Sequence, residues 1–231
     1  MTLAGPNDLL RAGLLEGVSL LVAGEPSTVG AGRAVAEVCA SLGAHVVQCE
    51  VDAADEATID DAVAGAVGEM GGIDLLVVDG AALFAHGLAR GGGGPAGVEG
   101  PAGADARAGA EGHAGGDGHA ALRACMDGSW NATRAVVNNA FLQAPEPRGR
   151  VVFLAPAPDA GEYAAAAAAG LENLARTLSI EWARYAITTV TVAPGVDTAA
   201  GEVATLVAYL ASPAGAYFSG CLLDLRGAAA G

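Results

Sequence analysis

The feature that most limits what this chain can fold into is a regular alternation of short apolar runs with helix-length stretches. The runs are "VSLLVAG" (18–24), "AHVVQCEVD" (44–52), "IDLLVVDGA" (73–81), "RVVFLAP" (150–156), "ITTVTVAPG" (187–195) and "GCLLDLRG" (220–227). Most are apolar at successive positions and end near glycine, proline or aspartate, the pattern of short strands buried in a parallel sheet. Between them, "RAVAEVCASLG" predicts a helix capped by Gly43, and "DEATIDDAVAGAVGEMGG" one with acidic residues in its first turn. A long helix is expected from about His119 to Gln143, with Leu122, Met126, Trp130, Val137 and Phe141 on one face. Another covers Glu162 to Trp182, where Leu171, Leu174, Leu178 and Trp182 form a single stripe, and a short one surrounds Val203 to Leu210. This order predicts one α/β domain, a doubly wound parallel sheet of about six strands with helices on both faces.

The alternation breaks at about 85–118, in "GLARGGGGPAGVEGPAGADARAGAEGHAGGDG" and its flanks. Glycine, alanine and proline with scattered charges cannot bury enough apolar surface to offset ordering entropy, so a flexible surface insertion is expected. His113, Asp117 and His119 lie at its end, but a glycine-rich loop holds no preformed metal geometry, and no metal site is expected. The sequon Asn131-Ala132-Thr133 falls mid-helix and carries no weight.

Charge excludes some partners. The 231 residues carry 26 acidic side chains against 11 basic, a net of −15. Such a surface repels phosphate backbones and anionic lipid, so neither nucleic acid nor membrane is expected as a partner. The N-terminus lacks a leader pattern and no apolar run reaches transmembrane length, which predicts a cytoplasmic protein. The cysteines Cys39, Cys49, Cys125 and Cys221 are far apart and form no CxxC pair, so reduced thiols are expected rather than a zinc site or disulfide framework. Every basic residue is arginine; the chain has no lysine.

Several exact words, in their order along the chain, resemble the short-chain dehydrogenase/reductase family. They are "GAGRAVAEVCASLGAHVV", "GGIDLLV", "LARTLSIEWARY", "APGVDT" and "SPAGAYFSGCLLDLRG". The resemblance covers nearly the whole chain outside the insertion and implies a Rossmann-type sandwich that binds NAD or NADP. Gly24, Gly30 and Gly32 in "AGEPSTVGAGR" stand where the family's glycine turn holds a pyrophosphate against a helix N-terminus, with Thr28 at a glycine position or two extra residues before "GAG". Asp52 resembles the aspartate that contacts the adenine, and Pro194, Gly195 and Thr198 stand where the family touches the nicotinamide end. One strand–helix unit of the family is missing after "GAHVV", and with it the residue that distinguishes NAD from NADP. Two lid helices are also missing after "APGVDT", which would leave a site open to water.

The family's chemistry needs a tyrosine, a lysine four residues later, a serine and an asparagine. A tyrosine is a poor base at neutral pH without a nearby cation. The alignment puts Ala164 at the tyrosine, Ala168 at the lysine, Pro156 at the serine and Cys125 at the asparagine. Sliding it by one recovers Tyr163 but puts Ala167 at the lysine, and the family's "NNAG" is "VDGA", Val78 to Ala81. No catalytic residue is therefore assigned. The helices at about 119–143 and 161–185 resemble the pair that joins family subunits. The leading expectation is a non-catalytic subunit that assembles with an active short-chain dehydrogenase, or with itself. An NAD(P)-binding sensor is a second reading, and an oxidoreductase with unconventional groups, such as Asp79, Tyr163 or Asp159, a third.

Overall fold

The structure, a computed structural model, describes residues 10–24, 29–51, 56–91 and 117–227. Its six strands are β1 (Ser19–Ala23), β2 (His45–Cys49), β3 (Leu75–Asp79), β4 (Gly149–Leu154), β5 (Ile187–Ala193) and β6 (Cys221–Asp224). They form one parallel sheet in the order β2-β1-β3-β4-β5-β6. The chain steps outward from β1 to β2, then returns past β1 to β3. Winding therefore reverses between β1 and β3, which places the ligand crevice of an open α/β sheet at their carboxyl ends. The fold class is the one expected.

Side-chain alternation along the strands builds two cores. Leu20, Val22, Leu75 and Val77 face α1 (Gly32–Ser41) and α6 (Ala200–Ala211), where Val35, Cys39, Val203 and Val207 meet them. Leu21, Leu76 and Val78 face the opposite layer of α2 (Glu56–Met70), α3 (Gly80–Gly91), α4 (Gly118–Val136) and α5 (Ala164–Glu181). β3 is buried along its whole length, whereas β2 is at best half-buried, as an edge strand must be. Gly43 ends α1 with φ +100, the left-handed cap read from the sequence.

One helix, α3, was not expected, and one helix start is now fixed. α3 takes in 85–91, the first part of the anticipated insertion, because Leu83 and Phe84 are buried and Gly87 lies so close to Ala121 of α4 that a Cβ would not fit. α4 begins at Gly118, capped by the Asp117 carboxylate, which accepts from the amides of His119 and Ala120 at 3.0 and 3.2 Å. The remainder of the insertion, 92–116, lies outside the described residues. The stripe read on the long helix also divides. Val137 and Phe141, in a five-residue π-type turn that extends α4, are buried, with Phe141 pressed over Gly149 at the start of β4. Trp130 is instead 43% exposed.

Candidate functional site

The carboxyl edge of β3, β4 and β5 is where the sequence places the family's chemistry. All four aligned positions are buried. Cys125 is inaccessible in the middle of α4, Pro156 is buried just beyond β4, and Ala164 and Ala168 face the core from the first turns of α5. Ala167, the lysine position in the shifted alignment, is buried as well. The Cys125 thiol is pushed up to about 12, chiefly by burial and further by the charge of Asp79, so it is not a thiolate nucleophile. The start of α5 is therefore a packing surface of methyl groups.

Tyr163 survives at the N-cap of α5, in a left-handed conformation (φ 68) unusual for a bulky side chain. Its hydroxyl lies 3.0 Å from His119 Nε2 and the two rings are 4.4 Å apart, so it is tied to the start of α4. Asp159 is exposed in the preceding turn.

The third candidate, Asp79, closes the winding reversal. It ends β3 and is 4% exposed. One carboxylate oxygen accepts from Gly32 N at 2.6 Å, at the first residue of α1, and the other from Ala82 N at 3.0 Å, in the first turn of α3. The amides of Ala31 and Ala81 add to the same carboxylate. The glycines of the turn are shaped around it. A Cβ on Gly30 (φ +94) would stand 2.5 Å from both oxygens, one on Gly32 2.7 Å from the nearer, and one on Gly24 3.0 Å from the Asp79 Cβ. Burial raises the Asp79 pKa, although the four amides pull it the other way. The Ala31 and Gly32 amides of the glycine turn are thus already bonded to a carboxyl group of the protein.

At the nicotinamide end the residues also satisfy one another. Gly195 N donates to Thr198 Oγ1 at 2.8 Å and Thr198 N returns to Gly195 O at 3.2 Å, while Pro194 and Gly195 are half-buried. α6 starts directly after this turn, and its Glu202 carboxylate accepts from Ala199 N at 2.9 Å, so no lid helices intervene. Asp52, together with Thr28 and His113, lies outside the described residues. Among the described residues no group of three or more His, Cys, Asp or Glu side chains could hold a metal. Among them, too, no helix is long and apolar enough to cross a membrane. The contact that sequence reasoning missed is Asp79 on the α1 amides. Its signal was present in "VDGA", but a strand-end aspartate by itself does not say which backbone it bonds.

No family model matches the sequence, and no curated protein does. Solved structures do resemble the fold. A citronellol catabolism dehydrogenase of Pseudomonas aeruginosa PAO1 superposes with a TM-score of 0.68 at 23% identity, covering 95% of this chain and 98% of that one. A short chain dehydrogenase from Mycobacterium smegmatis gives 0.65 at 21%, covering 96% and 97%. A short chain dehydrogenase from Burkholderia cenocepacia J2315, solved in complex with NADP, gives 0.60 at 20%, covering 92% and 98%. At such identities the likeness is one of architecture: this chain has the Rossmann-type fold of the short-chain dehydrogenases, built with six strands.

Proposed function

We propose that this chain is a non-catalytic subunit with the short-chain dehydrogenase fold, which assembles with an active dehydrogenase through α4 and α5. The observation that carries the reading is the burial of Cys125, Pro156, Ala164 and Ala168 at the positions of chemistry, in a chain without lysine. A positioned acid or base contributes about 10²–10⁴-fold to a rate, and of the four positions only Cys125 carries a titratable group, a buried thiol pushed up to about 12.

Support for assembly comes from the outer faces of the two helices. On α5, Ala165, Ala166, Ala169 and Ile180 are exposed, with Ile180 77% accessible; on α4, Trp130 is exposed. Small residues let a facing helix approach closely, and the two large side chains supply apolar area to bury against it. Purification of the tagged chain from its native cell, with partners identified by mass spectrometry, tests the reading. A stoichiometric dehydrogenase subunit carrying YxxxK is expected, and it should be lost when Trp130 and Ile180 are both changed to glutamate. Recovery of the monomer alone sinks the proposal.

A sensor that binds NAD or NADP without turnover is the second reading, favoured by the NADP complex of a protein with the same fold. Against it stands Asp79, whose carboxyl group takes the Ala31 and Gly32 amides that a pyrophosphate would otherwise meet. Calorimetric titration with NADH and NADPH separates the two, since saturable binding without oxidation favours the sensor.

A further inference from the structure

The sheet has a second edge that the family resemblance leaves unassigned. At the amino ends of β1, β3, β4 and β5, opposite the glycine turn, lies a cavity of about 500 Å³. Its apolar lining comes from Val18, Leu75, Ala186, Ala211, Pro213 and Ala216. Its charged lining is Arg148, Arg150 and Asp74. This is the make-up of a small-molecule site, a concave apolar surface with a few convergent polar groups.

Arg150 and Asp74 are held in place by hydrogen bonds. Arg150 is half-buried and donates through one terminal nitrogen to the carbonyls of Leu210, Ala211 and Ser212, at 2.7, 2.9 and 2.6 Å. Those of Leu210 and Ala211 lie in the last turn of α6, where carbonyls run out of intrahelical donors; that of Ser212, its C-cap, also accepts from Gly215 N at 3.0 Å. The Asp74 carboxylate accepts from Ser19 N at 3.0 Å and lies 3.9 Å from Arg148. One carboxylate therefore faces two guanidiniums, so the cavity keeps a local positive surplus in a protein of net charge −15. Arg148 is 71% exposed at the rim, and Arg150 uses only one nitrogen in its bonds to α6.

We propose that this amino-edge cavity binds a small organic anion, its apolar body against Val18, Leu75 and Pro213 and its charged group on Arg148 and Arg150. A guanidinium presents a planar fork that matches a carboxylate, and the apolar lining disfavours a bare inorganic ion. The site is independent of the glycine turn and of α4 and α5, so it stands or falls apart from the proposed assembly role. The test is calorimetric titration of the full chain with 2-naphthoate and with its neutral isostere 2-naphthamide. Two exposed positions are varied, Arg148→Ala to remove the rim charge and Ala216→Phe to fill the cavity, each checked by its thermal melt. Saturable one-to-one binding of the carboxylate, absent for the amide and weakened about tenfold or more by either variant, is expected. No saturable binding, equal binding of acid and amide, or binding untouched by both variants overturns the proposal.

Discussion

Asp79 holds a carboxyl group where water cannot reach it, and its neighbours only partly compensate. Because burial raises its folded-state pKa above the unfolded value of about 4, folding takes up a proton between those two values. Stability attached to Asp79 is then fully present below about pH 4 and is lost as pH rises through the folded pKa. Asp79→Asn removes this dependence. The unfolding free energy of the variant minus that of the wild type should increase from about pH 4 to 7 in urea titrations; a flat or falling difference contradicts the assignment. The alanines of α5 allow a second test on single residues. Ala164 is 1% and Ala168 8% exposed, so replacing them by tyrosine and lysine forces bulk and charge into a packed core. The double variant should lose at least about 3 kcal/mol of stability, without gaining carbonyl reduction. A native-like melt with restored turnover would show that the site had only lost its side chains. The sequence made the alanines visible, because a family word ended on them. It did not make Asp79 visible, because hydrogen bonds to distant backbone leave no local pattern.

Elements were more legible than the residues that join them. β1, β3 and β4 lie where continuous apolar runs end at glycine, proline or aspartate, since burial on both faces demands that composition. The six alanines of α5 need no side-chain cap to start a helix, and Tyr163 supplies none. The long helix was less readable. Its spacing could not tell that Trp130 falls beyond the reach of the neighbouring layer while Phe141 is inserted over Gly149. α3 was not read as a helix, because the small and polar residues of 85–91 pack on Ala121 only through tertiary contact. Arg150 likewise looked like the polar start of a strand, yet it terminates α6. Arg150→Ala removes its bonds to three carbonyls, and we expect a loss of about 1–3 kcal/mol. Arg150→Lys should recover part of it. Unchanged urea midpoints in both variants would deny Arg150 that role.

At the scale of the whole molecule, the chain has the short-chain dehydrogenase fold with a closely packed carboxyl edge. The parallel order, the reversal between β1 and β3 and the two cores are intact, yet methyl groups and a protein carboxylate stand where the resemblance expects catalytic groups and a pyrophosphate. α4 and α5 each turn a large apolar side chain outward, Trp130 and Ile180. The most direct measurement is the composition and mass of the complex that the tagged chain forms in its native cell, determined by light scattering and mass spectrometry. The account predicts a defined hetero-oligomer with a YxxxK dehydrogenase, which Trp130→Glu with Ile180→Glu dissociates while the thermal melt is preserved. A lone monomer, or an assembly of this chain only, would contradict it.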